Sequence, residues 1–480
     1  MNTVVNKIKP LELNRPKLSA QYFDEPKLLF ADNREHSDPK IGIALYGPRS
    51  LGTSRHKQEV HIGFIGTGEG MTAARKFYSD LTDGVAGDTG QISFPGCKAD
   101  RGFRCELRMD DNLFEAITRK ETIEILGITN QKERFERFLG VLQTKLELLT
   151  QRDYPLDYIV FVPPNDLFKK CRVADYRVQK IPIHRDLRRA FKALAMKFHK
   201  PTQILQETTI GLVDSRRQLD HLSRIAWNLF TGLYFKVEGL PWSPVGLTPG
   251  TCFIGISFFR PLGSASTLRS SVVQAFDENG EGLVLRGPTF HWNSYQEERS
   301  PHLSEEMAHE LLQMVLDRYR SERRQLPRRV VIHKSSRFEP EERSGFEKAL
   351  CASGVEQYDL VSLRISNDVR LIRAGQYPPL RGASFNVGDI SYLYTTGYIP
   401  EIGGYPHGHV PSPLQVADHI GDASDAQIKQ EILLLTKMNF NSADFAGSMP
   451  IDLRFSRLVG NILREIPAEQ SPQPKYKYYM

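Results

Sequence analysis

At 480 residues the chain has room for two or more domains with full hydrophobic cores. Its 40% apolar and 25% charged content excludes a disordered or fibrous protein. The net charge of +6 admits a polyanionic partner without requiring one.

Residues 1–26 are polar and proline-punctuated, which predicts an arm laid over the surface. Apolar runs at 28–30, 41–45 and 60–65 predict strands, with a turn at Gly47-Pro48 after the second. The third run enters Gly66-Thr-Gly68-Glu-Gly70 and then a helical pattern over 71–81. That order imitates a dinucleotide fingerprint, but G-x-G-x-G stands where G-x-G-x-x-G is needed, so a plain strand-to-helix turn is expected. An amphipathic helix over 128–149 leads to the apolar strand 158–162, which Pro163-Pro164 ends. Strands alternating with helices predict a parallel sheet covered on both faces. The segment 239–250, rich in Pro and Gly, predicts the domain boundary.

The second half opens with a strand at 251–259 and a hairpin partner at 272–276, then a turn at 277–280 and a strand at 283–285. Helices follow at 304–319 and 340–350, strands at 329–333, 359–365 and 391–394, and closing helices at 425–438 and 453–464. Antiparallel strands first, then helices and a parallel strand, is the order of a ribonuclease-H-like sheet. The tail 475–480 is basic and aromatic.

Five cysteines (97, 105, 171, 252 and 351) are odd in number and scattered, and none has the Cys-x2-Cys spacing of a zinc site. Free thiols in a reducing compartment are expected. No run approaches the 18 or so apolar residues that span a bilayer, and the first ten residues lack the apolar core of a signal peptide. A cytoplasmic protein without membrane contact is expected.

One stretch concentrates donors suited to an anion. Arg188 and Lys192 are four apart, on one face of a predicted helix that should stop near His199-Lys200-Pro201. His184 would lie one turn earlier on the same face, as a further contact or as a solvated helix-start residue. Gln203 opens an extended run, and Lys236 closes a second helix before Gly239 and Pro241. Such a set suits a terminal phosphate. On spacing alone an ordinary surface helix with a few cations is the readier reading.

Further motifs carry a resemblance. In the first half they are 192–203, Glu207-Thr-Thr209 and Tyr234-Phe-Lys236-x-x-Gly239-x-Pro241-Trp242. In the second they are Ile332-His333-x-x-x-Arg337-Phe338, Pro379-Leu-Arg-Gly382, Leu393-Tyr-Thr-Thr-Gly397-Tyr-Ile-Pro400 and Val410-Pro-x-Pro-Leu414. Leu435-Thr-Lys-Met-Asn-Phe-Asn441 and Pro450-Ile-x-Leu-x-Phe-Ser456 complete the set. Over residues 27–480 the chain resembles the short prokaryotic Argonautes, built from MID and PIWI domains alone. The resemblance implies an α/β protein: an N-terminal arm (1–26), a Rossmann-like MID domain with a parallel sheet (27–245) and a ribonuclease-H-like PIWI domain (246–480). It assigns the 5′-phosphate of a guide strand to Arg188, Lys192, Gln203 and Lys236, with His184 and the terminal Met480 as additional contacts and Mg2+ as a potential companion ion.

The departures from the family pattern are equally informative. Where slicing members carry metal-binding acids, this chain has Ser257, Ser335 and Arg457. Serine offers no anionic oxygen and arginine repels a cation, so an inactive PIWI domain is expected. Glu297, Glu298, Glu305 and Glu306 include the place of the family's fourth acid, or are solvated helix-start carboxylates. Arg381, His407, His409, Lys437 and Arg454 stand in family-like places that suit the lining of a nucleic-acid channel, or are ordinary exposed side chains, and Tyr394 and Phe440 are expected in the core. The implied function is a guide-RNA-loaded sensor of single-stranded DNA that switches on an APAZ-containing effector of sirtuin, TIR or nuclease type, with higher oligomers on activation. Two alternatives stay open: a guide-directed endonuclease using Glu298, Asp389 and Asp444, and a metabolic enzyme using the Gly66 turn.

Overall fold

The structure, a computed structural model, describes residues 19–88, 90–214, 218–264, 267–275, 282–292, 300–405, 410–467 and 469–480. The expected turn at 277–280 lies outside them.

The first half is built on a parallel sheet in the order Thr202–Ile204, Tyr158–Phe161, Glu59–Gly66, Glu106–Arg108, with Phe114–Ala116 also pairing alongside Glu59–Gly66. Gly66 passes so close to Val162 that an added Cβ would sit 2.7 Å from its carbonyl oxygen. The Thr67 side chain then accepts the Gly70 N–H and starts the helix Gly68–Thr82. On one face the helix Gln131–Thr150 buries Phe135, Phe138, Leu142 and Leu146 against Ile65, Phe161 and Phe191. That stripe satisfies the helical period and gives the sheet its cover.

Two elements differ from expectation. Residues 41–45 lie in the helix Pro39–Tyr46, where the Asp38 carboxylate accepts from Lys40 and Ile41 N–H at 2.7 and 3.2 Å. An N-cap followed by proline at the first helical position outweighs the β-like content of Ile-Gly-Ile-Ala-Leu. A hairpin, Val173–Val178 with Ile181–Asp186, also precedes the helix Leu187–Ala195.

The second half is a nine-stranded sheet. From one edge the order is Ser19–Tyr22, Ala383–Val387, Ile390–Leu393, Leu414–Gly421, Gln357–Ile365, Arg329–Lys334, Thr251–Phe259, Thr267–Ala275, Leu283–His291. The three strands Thr251–Phe259, Arg329–Lys334 and Gln357–Ile365 are parallel, and the remainder pair antiparallel. With helices packed on it, this is the ribonuclease-H-like arrangement expected, beside a Rossmann-like first half. Leu414–Gly421 and the Ala383–Val387 strand are additions to the sequence reading.

The expected surface arm is more than that where it is described. Ser19–Tyr22 is an edge strand of the second sheet, and Phe23 and Glu25 are buried. The two halves also share one core: Trp227, Tyr234 and Trp242 cluster with Phe253, Phe440, Phe455 and Tyr476. Phe235 stacks on Phe440 at 4.5 Å, and Trp242 Nε1 donates to the Lys437 carbonyl at 3.1 Å. The segment at 239–250 is thus a change of sheet rather than a gap in packing.

Candidate nucleic-acid interface

Three turns of local structure bring the donors together. The Asp186 carboxylate accepts the Arg189 N–H at 3.1 Å and starts the helix Leu187–Ala195. A short 3-10 turn, Met196–Phe198, ends at His199, whose φ of 53° reverses the chain before Pro201. The strand Thr202–Ile204 therefore runs back beside the helix, and the Lys192 ammonium donates to the Thr202 carbonyl. Lys236, the last residue of the helix Leu222–Lys236, donates to the same carbonyl at 3.1 Å and to Gln203 Oε1 at 2.8 Å.

Arg188, Lys192, Gln203, Phe168, Asn441 and Met480 line a cavity of about 170 Å3. It shares Arg188, Gln203 and Asn441 with a neighbouring cavity of about 590 Å3. Lys236 stands behind Gln203 and fixes its amide, with its ammonium 5.7 Å from the centre of the Tyr158 ring. Lys192 and Lys236 are both buried, and Arg188 is exposed at the entrance.

The electrostatics of this cluster lack an anion. Burial, then Lys236 and Arg188, push the Lys192 ammonium well below its usual range. Burial, then Arg188, push Lys236 down to about 7. No carboxylate among the described residues enters either balance. A dianionic group in the cavity would favour the charged lysines and accept charge-assisted bonds. That is the chemistry of a phosphomonoester.

His184 is a correction. It lies in the strand Ile181–Asp186, before the helix begins, and its exposed ring meets Asp175 across the hairpin at 2.7 Å. The Asp186 cap places the helix start after His184, so no shared helical face with Arg188 exists. Met480, by contrast, does line the cavity. Its approach is fixed by Tyr476 stacked on Phe455 at 3.9 Å, by Tyr478 donating to the His199 carbonyl at 3.2 Å, and by Lys475 and Lys477 on Glu238 at 3.0 and 2.7 Å. Phe168, Asn441 and Glu238 were not singled out as site residues from the sequence. Asn441 stood at the end of a quoted motif, which was the available signal.

Two expected channel cations are also corrected. Arg381 and Lys437 are buried and share Glu25, at 2.7 and 2.6 Å. Lys437 further donates to the carbonyls of Pro26 and Ser37. They clasp the N-terminal segment instead of facing a channel. Arg454 is exposed; burial holds the Tyr476 hydroxyl well above its usual range, and the charges of Arg454 and Arg188 act against that. His407 and His409 lie outside the described residues. Tyr394 and Phe440 are in the core, as expected.

Ile256 pairs with Lys334, so Ser257 and Ser335 follow one another across two parallel strands at the same end of the sheet. Arg457 is exposed on the helix Ile451–Leu463, which crosses so near that a Cβ on Gly255 would lie 2.2 Å from the Asp452 carbonyl oxygen. Beside these positions are two buried pairs, Lys334 with Glu342, and His333 Nδ1 with Asp452 Oδ2 at 2.6 Å. Glu305 is held by Lys348 and Ser344, and Glu306 by Ser304 Oγ at 3.1 Å. Glu297 and Glu298 lie outside the described residues. Asp389 is exposed in the turn after Ala383–Val387, and Asp444 faces Arg224 at 3.4 Å. Among the described residues, no three His, Cys, Asp or Glu side chains are grouped to hold a metal ion.

The Gly66 turn borders a cavity of about 600 Å3 lined by Thr67, Glu69, Asn165, Asp166 and Glu207. Burial raises the Glu207 carboxyl, and Glu69 and Asp166 raise it further. Three carboxylates against the one cation of this lining, Arg119, disfavour a pyrophosphate there. No helix among the described residues is long and apolar enough to cross a membrane.

A Clostridium butyricum Argonaute, solved with a guide DNA and a 19-mer target DNA, superposes with a TM-score of 0.65 over 94% of this chain, at 15% identity. The fold is Argonaute-like. Drosophila Piwi matches with a TM-score of 0.60 over 96% of this chain at 13% identity, and A. aeolicus Argonaute with 0.58 over 96% at 15%. The chain spans 54%, 56% and 55% of those three proteins. No family model and no curated protein matches the sequence. Within the Argonaute-like fold, the smaller cavity takes its cations from the Rossmann-like half and its Asn441 and Met480 walls from the second half, where the two serines also lie.

Proposed function

We propose that this chain is a short-type Argonaute that anchors the 5′-phosphate of a guide, most simply RNA, and pairs the guide with single-stranded DNA without cutting it. The observation that carries the reading is the Arg188–Lys192–Lys236 cluster at a cavity of about 170 Å3, with both lysines buried and no carboxylate side chain among the described residues entering their balance. A guide DNA and a target DNA are bound by the Clostridium butyricum neighbour. Sequence specificity would reside in base pairing while the protein holds backbone and shape. Ser257, Ser335 and Arg457 support a non-cleaving PIWI domain, because two-metal hydrolysis needs anionic oxygens that these side chains lack. The output then falls to a separately encoded APAZ-containing effector, of sirtuin or TIR type consuming NAD, or a nuclease. Target recognition would switch it on, with higher oligomers on activation, as a cell-suicide defence in the cytoplasm.

A resident magnesium ion fits the cavity poorly. Its charged side chains are cations, and the neutral Gln203 oxygen is already bonded to Lys236. An ion there would rest chiefly on the phosphate's own oxygens.

The deciding experiment is guide binding by the double variant Lys192→Ala/Lys236→Ala. Affinity for a 5′-phosphorylated guide should fall by about 3–6 kcal/mol, at roughly 1.5–3 per charged bond. A 5′-hydroxyl guide should bind the variant and the native protein alike. Equal loss with both guides rejects the anchor. Incubating the loaded protein with a matched target and magnesium or manganese tests the other half: a product cut at one defined position would establish an endonuclease instead.

A further inference from the structure

Cys97 and Cys105 are eight residues apart in sequence, yet their sulfurs lie 3.2 Å from each other. The turn between them explains it. Cys97 pairs with Gly102 and Lys98 with Arg101, and Gly96 and Gly102 hold positive φ angles of 97° and 59°. A Cβ on Gly102 would come within 1.9 Å of the Gly96 carbonyl oxygen. The chain therefore doubles back tightly and delivers Cys105 onto Cys97. Both thiols are buried, and Cys97 also donates to the Cys105 carbonyl at 3.3 Å. Cys171 and Cys252 are buried as well, and Cys351 is exposed.

We propose that Cys97 and Cys105 form a dithiol that closes to an intrachain disulfide under a hydroperoxide oxidant. One sulfur attacks the peroxide and becomes a sulfenic acid, releasing water. The second sulfur displaces the hydroxyl and expels a second water. Two thiols and one hydrogen peroxide thus give one disulfide and two waters. The hydrogen bond with Cys105, then burial, hold the Cys97 thiol above its usual range, so closure is slow and waits on local opening of the turn.

The position gives the bond a consequence. Phe103, inside the loop that the disulfide would close, packs at 5.3 Å from Tyr234 and 6.3 Å from Trp227. Tyr234 is held by Ser50 at 2.9 Å and His56 at 2.8 Å, two residues before Lys236 on the same helix. The oxidised loop would act as a staple under the helix end that fixes Gln203.

The test uses full-length C351S protein, which removes the exposed thiol and leaves Cys97, Cys105, Cys171 and Cys252. After hydrogen peroxide and removal of excess oxidant, thiols titrated in denaturant should fall from four to two. Trypsin cuts after Lys98, Arg101 and Arg104, so a non-reducing digest should yield separate peptides joined through Cys97 and Cys105. The reduced protein should bind one phenylarsine oxide per chain across the same pair. Four thiols after peroxide, separate sulfinic acids at Cys97 and Cys105, or a link from either to Cys171 or Cys252 overturns the proposal.

Discussion

Buried cations occur in both halves of this molecule, in two kinds of company. In the ribonuclease-H-like half each meets an acid: Lys334 with Glu342, Arg329 with Asp359 and Glu431, Arg381 and Lys437 with Glu25. In the Rossmann-like half Lys145 meets Glu121, but among the described residues Lys192 and Lys236 meet carbonyls, an amide and the charge of neighbouring cations. A buried charge is costly unless paired. The matched set is therefore structural, and the unmatched set implies an anion from outside.

The largest effect should come from breaking a matched pair. Lys334→Met leaves Glu342 charged and buried, with only the Leu303 N–H at 3.1 Å, and should cost about 3–5 kcal/mol in urea denaturation. Lys192→Met should cost less than about 1 kcal/mol or stabilise the free protein, because it removes an uncompensated buried charge. The same change should weaken 5′-phosphorylated guide binding by roughly 1.5–3 kcal/mol. If Lys192→Met unfolds the chain as badly as Lys334→Met, the contrast between matched and unmatched cations fails.

Acidity sharpens the contrast next. Lys236 titrates at about 7 in the fold against an ordinary 10.5, so between those values the unfolded chain binds more protons. Stability of the free protein should therefore rise as pH rises through that window. Guide binding should move the other way, because the phosphate needs the ammonium form. At pH 8 protonating Lys236 costs about 1.4 kcal/mol, roughly tenfold in affinity for a 5′-phosphorylated guide. Titrating a 5′-hydroxyl guide over the same range should give a flat line, and a matching slope would remove Lys236 from the site.

Much of this was legible in the sequence, for identifiable reasons. Arg188, Lys192, Gln203 and Lys236 could be placed because helix period, the Pro201 stop and the Gly239 stop are local signals. His184 was misplaced because Asp186, the cap that begins the helix, lies between it and Arg188. Residues 41–45 read as a strand because the Asp38-Pro39 helix start carried less weight than the apolar run. Arg381 and Lys437 could not be sorted from channel cations, since their partner Glu25 is more than 350 residues away. Cys97 and Cys105 met only through a tight turn whose glycines looked unremarkable in the sequence. Contacts of that range are set by tertiary packing, which periodicity does not encode.

The smallest effect probes the wall of the cavity that the tail supplies. Burial acts to raise the Glu238 carboxyl, but Lys477 and Lys475 bring it down to about 2 from an ordinary 4.5. This clasp is complete above 4.5 and is lost as pH falls toward 2. Glu238 and Lys475 are about half exposed, so the pairs contribute on the order of 0.5–1 kcal/mol. Glu238→Gln should free residues 475–480 in part, seen as faster amide exchange at Tyr478 and Tyr479, and reduce 5′-phosphorylated guide affinity roughly two- to fivefold. The Tyr476–Phe455 stack remains in that variant, which keeps the loss small. Faster exchange with undiminished preference for the 5′-phosphate would mean that Met480 borders the cavity without shaping it, leaving anion recognition to the three cations and Gln203 alone.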